Sequence, residues 1–326
     1  MKKGRIGRIV LGVVLALLVL LNVVAAFHAY KFTHFTDKQV VRLNEHHISG
    51  MEKIKTLLFG IDMSRPVDFA KPSQPYYHTD TIQSNVKLEC WDLRTDSTSR
   101  KGTVIIFHGY RGNKSSMIDR SDEFLKMGYN TLLVDFMGSG GSEGNATTIG
   151  YTEAEEVRAA YDYVVGTKVD GPIYLFGTSM GAAAIMKAVN DDPTFLPAGL
   201  ILECPFGSML KTVSVRVKMM GLHTFPTAYL LMFWGGLENG FWAFGHNPEE
   251  YAKSIELPVL LMWGEQDERV SKAEIDSIYS NIKRYKQLKT FPLCRHEDYL
   301  PKYHDEWVNT VDSFLVESKR HIVVND

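Results

Sequence analysis

The chain of 326 residues lacks most of the motifs that mark metal, nucleotide or nucleic-acid binding. Its three cysteines are widely spaced and odd in number, so they do not form a disulfide framework. No GxxxxGK[ST] phosphate loop, HExxH motif or paired CxxC motif is present. The 36 basic residues nearly balance the 38 acidic ones, and a net charge of −2 gives no reason to expect nucleic-acid binding. The sequence therefore predicts a protein without a metal or a cofactor.

A long apolar run lies near the N-terminus, from Ile9 to Phe27, and only Asn22 interrupts it. This is about the length that a helix needs to cross a bilayer. Basic residues before such a run place the N-terminus in the cytoplasm and the rest of the chain on the other side. Four precede it: Lys2, Lys3, Arg5 and Arg8. We expect residues 1–30 to be an uncleaved signal anchor. The alternative is a signal peptide cleaved after Val24-Ala25-Ala26, which would give a secreted protein.

The next segment, residues 31–75, has the pattern of an amphipathic helix followed by a linker. Between Thr36 and Met63 the apolar residues recur at helical spacing. They are Val40, Ile48, Met51, Ile54, Leu58 and Ile61. Arg65-Pro66 to Pro75 is typical of a turn-rich linker. No candidate catalytic residue lies before Thr103, so a fragment beginning at residue 31 is expected to keep its activity.

Short apolar runs alternate with helical stretches in the remaining chain, and residues 76–318 are predicted to form one α/β domain before a tail, 319–326. An antiparallel pair is expected over 77–83 and 86–93. Further strands are expected at 103–107, 131–135, 172–176, 199–203, 258–263 and 287–291, with helices near 115–127, 152–166, 180–190, 272–285 and 303–318. This alternation predicts a mostly parallel, eight-stranded sheet covered on both faces, with its site at the strands' carboxyl ends.

The most informative motif is Gly177-Thr178-Ser179-Met180-Gly181, between an apolar run and a helical stretch. A strand that turns into a helix through G-x-S-x-G exposes its serine on a sharp elbow, and the glycines permit the tight bend. The Ser179 hydroxyl then lies near a helix N-terminus, where backbone N–H groups favour developing negative charge. Ser179 is thus the candidate nucleophile, with Gly177 and Gly181 as supporting residues. A plain glycine-rich turn is the alternative.

A serine nucleophile needs a base and a group that orients the base, and with this elbow the chain order is serine, acid, histidine. Asp267 follows the apolar run 258–263 and is the candidate acid, with Glu265 and Glu268 as nearby rivals. Of eleven histidines, His296 lies in the loop after the strand that follows the acid. We therefore expect His296 to be the base.

An oxyanion hole needs two backbone N–H donors aimed at the reacting carbonyl oxygen. One is expected from Met180, the residue after the nucleophile. The other is expected from Tyr110, because the strand 103–107 runs into His108-Gly109-Tyr110. His108 and Gly109 are the supporting residues of this loop.

Residues 205–248 are too long for a simple connection and are rich in aromatic residues and methionine. We expect them to form an insertion in the domain, whose side chains fill irregular space or line an apolar pocket. Packing of this insertion on the body of the domain is an equally good explanation of its apolar side chains. The apolar content favours a hydrophobic acyl or ester substrate.

At this point the chain resembles the α/β-hydrolase superfamily, and within it the BEM46-like and ABHD-type serine hydrolases and serine aminopeptidase S33-like sequences. The resemblance covers about 76–317. It depends on these segments in order: His108–Asn113, Asp135–Gly144, Gly177–Gly181, Gly264–Asp267 and Arg295–His296. Met137 departs from the pattern, since relatives often carry arginine there. The resemblance implies the α/β-hydrolase fold with a helical cap insertion.

The sequence thus predicts a membrane-anchored serine hydrolase that cleaves carboxylic esters, including lipid esters or thioesters, through an acyl-enzyme. An S33-like aminopeptidase is the nearest alternative. A non-catalytic, membrane-tethered interaction module on the same fold is the alternative from another class. The expected partners are a small-molecule or lipid ester and the membrane.

Overall fold

The computed structural model describes residues 2–38, 50–73, 77–98, 100–167, 171–296 and 299–321. Its N-terminal part contains helix α1 (Lys2–Thr33), strand β1 (Phe35–Thr36), helix α2 (Gly50–Phe59) and strand β2 (Met63–Ser64). β1 and β2 pair in parallel. The helix predicted over 36–63 is represented by α2, and its first part, 39–49, lies outside the described residues. The same holds for 74–76 of the predicted linker and 322–326 of the tail.

An eight-stranded sheet forms the centre of the protein. Its strands are β3 (Tyr77–Gln83), β4 (Lys87–Leu93), β5 (Thr103–Phe107), β6 (Asn130–Val134), β7 (Ile173–Thr178), β8 (Gly199–Glu203), β9 (Val259–Gly264) and β10 (Lys286–Phe291). The strand order is β10-β9-β8-β7-β5-β6-β4-β3. Among the described strands of this sheet, only the pairings of β4 with β3 and with β6 are antiparallel. The prediction of a mostly parallel, eight-stranded sheet is confirmed.

Helices cover both faces of this sheet, and they are α3 (Ile118–Lys126), α4 (Glu153–Gly166), α5 (Met180–Asp191), α9 (Lys272–Asn281) and α11 (His304–Ser318). The other helices after β5 are α6 (Met209–Met219), α7 (Thr224–Glu238), α8 (Pro248–Tyr251) and α10 (Tyr299–Lys302). One apolar core joins the sheet to α4, α5 and α9, and the other joins it to α3 and α11. The central strands are buried throughout, which explains why they read as continuous apolar runs.

Two predicted helices have different bounds in the structure. The helix expected over 115–127 begins as a short 3-10 segment at Lys114, because Asn113 caps it by accepting from the Ser116 N–H. The helix expected over 272–285 ends at Asn281, since Ile282 is already extended and leads into β10. The segment predicted as a cap contains α6 and α7.

The segment predicted as a linker is bound to the domain by polar contacts. The Arg65 guanidinium donates to the carbonyl oxygens of Gly140 (3.3 Å) and Gly144 (2.6 Å). The Asn113 amide donates to the Val67 carbonyl at 2.6 Å. Residues 65–69 therefore follow a fixed path along the α/β domain.

Helix α1 has two different surroundings along its length. Side chains from Ile6 to Leu21 are exposed, whereas Ala25 and Ala29 are buried. The second half packs against α7, where the Trp234 indole N–H donates to the Asn22 side-chain oxygen at 3.2 Å. Within the described residues, α1 is the helix whose length and apolarity fit a transmembrane anchor or a signal sequence.

Candidate active site

Ser179 occupies a sharp turn between β7 and α5. Its φ of 52° and ψ of −106° lie in a region that residues other than glycine rarely adopt. A Cβ at Gly181 would lie 2.6 Å from the Phe107 carbonyl oxygen, and one at Gly177 would lie 2.6 Å from the Ala182 nitrogen. Glycine at both positions is therefore what allows the helix to approach the sheet at this elbow.

The hydroxyl of Ser179 begins a chain of hydrogen bonds through the predicted base and acid. Ser179 Oγ lies 3.0 Å from His296 Nε2, and His296 Nδ1 lies 2.7 Å from Asp267 Oδ2. The three residues follow β7, β10 and β9, so the carboxyl ends of three strands bring them together. The geometry matches a nucleophile, a base and a group that orients the base.

The second oxygen of Asp267 is held by backbone groups. Oδ1 accepts from the N–H groups of Arg269 (2.7 Å) and Val270 (2.9 Å), and the carboxylate is fully buried. The rival acids are placed differently. Glu265 accepts from the Thr290 hydroxyl, and Glu268 is exposed. The structure thus places Asp267, rather than either glutamate, against the imidazole.

The environment of His296 favours its protonated form. Burial alone would lower its pKa, but the neighbouring Cys204 and the hydrogen bond to Asp267 outweigh this effect and raise the pKa. With Nδ1–H donating to Asp267, Nε2 of the neutral ring is free to accept the Ser179 proton. The site is therefore arranged for proton transfer from the serine hydroxyl.

The loop after β5 packs directly on the elbow. A Cβ at Gly109 would lie 3.3 Å from the Thr178 carbonyl oxygen and 3.6 Å from Ser179 Cβ. Within the described part of the chain, the backbone N–H groups of Tyr110 and Met180 donate to no other residue. Two backbone donors thus remain available at the candidate oxyanion position.

His108 fixes this loop and does not reach the serine. It is fully buried, its Nε2 accepts from the Phe136 N–H at 3.1 Å, and its Nδ1 lies 2.8 Å from the Gly109 carbonyl. These contacts require the proton on Nδ1. Burial lowers the pKa of His108, so the neutral ring joins the loops after β5 and β6.

Sequence reasoning missed a buried charged network behind the elbow. Glu203, at the end of β8, accepts from the Trp307 indole N–H (2.8 Å), the Arg120 guanidinium (3.2 Å) and the Thr178 hydroxyl (3.2 Å). Its carbonyl oxygen accepts from the Ser179 N–H at 2.7 Å. The signal in the sequence that could have revealed this network is a glutamate at the end of an otherwise apolar strand. Glu203 supports the backbone that presents Ser179.

Two clusters of potential metal ligands occur among the described residues. In one, the Lys114 ammonium contacts Asp68 (2.6 Å), Glu89 (2.8 Å) and Asp135 (2.5 Å) and supplies the positive charge that a cation would bring. In the other, Cys204 lies beside Asp267 and His296, which are already hydrogen-bonded to each other. We assign a metal to neither cluster.

Ser179 opens into a cavity of about 500 Å³ between the sheet, the cap and the end of α1. The apolar walls come from α6, α7 and α1, and include Val213, Met232, Ala29 and Phe32. No candidate catalytic residue was predicted before Thr103. The structure adds that Ala29, Phe32 and Thr33, although not predicted to be catalytic, line the same cavity as Ser179.

Comparison with known proteins agrees with this architecture. The family described as serine aminopeptidase, S33, matches residues 98–231. The Schizosaccharomyces pombe protein bem46 is 25% identical over 69% of this chain and 71% of its own. The lysophosphatidylserine lipase ABHD12 of Mus musculus is 24% identical over 52% of this chain, but the match spans only 42% of that lipase. The Pyrococcus furiosus esterase Pf2001 superposes with a TM-score of 0.63 at 24% identity, over 78% of this chain and 98% of the esterase. The shared fold is that of the α/β-hydrolases.

Proposed function

We propose that this chain, which belongs to the α/β-hydrolase superfamily, is a membrane-anchored serine hydrolase that cleaves carboxylic esters. Ser179 Oγ attacks the ester carbonyl while His296 Nε2 takes the hydroxyl proton, and Asp267 stabilises the resulting imidazolium. The N–H groups of Tyr110 and Met180 bind the oxyanion of the tetrahedral intermediate. His296 then protonates the leaving alcohol, and a water molecule releases the acid from the acyl-enzyme by the same steps.

The observation that carries this proposal is the hydrogen-bond chain from Ser179 through His296 to Asp267. Ser179 and His296 line the cavity, and within the described residues the N–H groups of Tyr110 and Met180 have no acceptor. These groups supply all the protein parts that acyl transfer through a serine requires. A non-catalytic interaction module has no need for this arrangement.

The cavity favours an ester with an apolar chain. Its walls are mostly aliphatic, methionine and aromatic side chains, which bind acyl chains by excluding water. A lipid ester or thioester suits a pocket to which α1 contributes, since α1 fits a membrane anchor. The names of two similar proteins, an esterase and a lysophosphatidylserine lipase, point to the same bond type.

We further propose that α1 keeps its basic N-terminal end in the cytoplasm, as the positive-inside rule predicts. The α/β domain and its cavity would then lie on the non-cytoplasmic side of the membrane. In the described structure the apolar side chains of α1 from Ile6 to Leu21 are exposed, and α1 contacts α7 through the hydrogen bond between Asn22 and Trp234.

The alternative function, an S33-like aminopeptidase, has less support from the cavity. An aminopeptidase must hold a free, positively charged amino terminus, for which carboxylates are the natural partners. Among the described residues that line the cavity there is no aspartate or glutamate, and three arginines are present. The charge of the pocket therefore opposes this substrate.

The proposal is tested by measuring hydrolysis of octanoyl glycerol, an octanoyl thioester and alanine p-nitroanilide by the full-length protein in detergent. We expect cleavage of the ester or thioester and none of the anilide. Ser179→Ala should lower the rate by about a millionfold, to the limit of detection, without loss of folding. Ser280→Ala, at an exposed serine on α9, is the matched control and should retain full activity. Anilide cleavage alone would favour the aminopeptidase.

A further inference from the structure

Three arginines line the cavity that contains Ser179, and each comes from a different element. Arg111 follows Tyr110 in the loop after β5, Arg216 lies on α6 of the cap, and Arg269 follows the candidate acid after β9. We propose that the three guanidiniums form a subsite for an anionic group, a phosphate or a carboxylate, on the substrate. This inference rests on the proposed ester hydrolysis and names the class of ester, an anionic amphiphile.

The protein balances only part of the positive charge of this subsite, through Asp267. Within the described residues, no carboxylate lies within 4.0 Å of the guanidinium of Arg111, Arg216 or Arg269. Some other arginines are paired with carboxylates, as Arg120 is with Glu203 and Arg158 is with Asp162. Asp267 is the acid of the site, but both its oxygens are already engaged, by His296 and by backbone N–H groups.

Arg216 is the central member of the subsite. It is half-buried, and its guanidinium lies 5.7 Å from the centre of the Tyr110 ring, a cation–π contact. Burial and the nearby charge of Arg269 lower its pKa. A partly desolvated cation without a counter-ion is costly, and a bound anion would remove that cost.

The location of the three arginines in this cavity determines which ligand they can bind. Guanidinium groups bind phosphate and carboxylate through paired N–H donors, and more strongly where water is excluded. The same cavity has apolar walls from α6, α7 and α1. One cavity can thus hold an acyl chain along those walls and an anionic group near the arginines, with the ester at Ser179. This distribution suits an amphiphile with an anionic group near its ester.

The test compares three octanoyl esters that share an acyl chain: octanoyl glycerol, octanoyl glycerol 3-phosphate and octanoyl lactate. The full-length protein in a non-ionic detergent hydrolyses each, and released octanoate gives kcat/KM. We expect at least one anionic ester to be favoured over the neutral one. Its advantage identifies the anion as phosphate or carboxylate. Arg216→Gln should lower the ratio of kcat/KM for that ester to kcat/KM for octanoyl glycerol by about tenfold to a hundredfold.

Lys218→Gln removes one positive charge from the same helix at an exposed side chain that does not line the cavity, and should leave the ratio unchanged. Arg216→Lys should retain part of the preference, because it keeps the charge but not the paired donors. Equal use of all three esters, or a ratio that Arg216→Gln leaves within twofold, would overturn the subsite. If no ester is cleaved in a Ser179-dependent way, the proposed function itself fails. The two failures are therefore distinct.

Discussion

Residues 32–35, just after the apolar run, are expected to be part of the catalytic domain rather than a tether. The Tyr110 hydroxyl donates to the Phe32 carbonyl at 2.6 Å. The Thr147 N–H donates to the Thr33 carbonyl at 2.8 Å, and the Phe35 N–H donates to the Asn145 carbonyl at 2.6 Å. The Phe35 side chain is only 5% exposed. Replacing a buried phenylalanine by alanine typically costs about 3–5 kcal/mol. We therefore expect Phe35→Ala to lower the free energy of unfolding by about 3 kcal/mol or more.

Phe69→Ala is the matched control, because it makes the same chemical change at a side chain that is 75% exposed. A change of less than about 0.5 kcal/mol is expected there. Both variants are compared with the unaltered chain by urea unfolding in one detergent, together with hydrolysis of octanoyl glycerol. Phe35→Ala should also raise KM, because the neighbouring Phe32 and Thr33 line the cavity.

Two truncated proteins test the same contacts between residues 32–35 and the catalytic domain. A fragment of residues 28–326 keeps the cavity-lining residues of α1 and the three backbone contacts, and should remain active in detergent. A fragment of residues 37–326 loses them and should be unstable or inactive. If Phe35→Ala unfolds like Phe69→Ala, and the 37–326 fragment is as active as the longer one, the N-terminal segment is a simple tether and our account of the cavity is wrong.

The remaining predictions concern the base and the buried glutamate. Because the base must be neutral and the pKa of His296 is raised, kcat/KM for octanoyl glycerol should rise with pH to a midpoint above the ordinary histidine value of about 6.5. Asp267→Asn should lower kcat by about 10⁴ and shift that midpoint downward, whereas Glu268→Gln should do neither; a midpoint below 6 would contradict the assigned environment. Glu203→Gln should lower the free energy of unfolding in urea by about 1–3 kcal/mol, because it removes the buried negative charge that accepts from Arg120 and Trp307, while Asp119 still pairs with Arg120; a loss below about 0.5 kcal/mol would refute this role.

The parts of the protein that were predicted from sequence depend on local patterns. The apolar runs of the central strands and the glycines around Ser179 each reflect a nearby requirement, a buried strand or a tight approach. The order of Ser179, Asp267 and His296 along the chain follows from the order of the strands they succeed. Because of these local features, the sheet and the candidate catalytic residues could be predicted from the sequence.

The parts that were missed depend on contacts between distant segments. The hydrogen bond from Tyr110 to Phe32 joins residues 78 positions apart, and nothing in the sequence near Phe32 indicates it. Arg111, Arg216 and Arg269 look like ordinary surface charges until the fold brings them to one cavity. Glu203 looks like the end of a strand until Arg120 and Trp307 meet it. The observed bounds of a helix also differ from the predicted ones where a capping residue, such as Asn113, determines where the helix begins.

The central claim is that Ser179 is the activated nucleophile. The most direct measurement is reaction of the full-length protein with a fluorophosphonate probe, followed by mass spectrometry of the labelled peptide. Our account predicts one adduct on the Ser179 hydroxyl. It also predicts strong loss of labelling in His296→Ala, because the base is removed while the serine remains. Labelling of Ser280→Ala should be unchanged. An adduct on another residue, or undiminished labelling of a folded Ser179→Ala protein, would contradict the account.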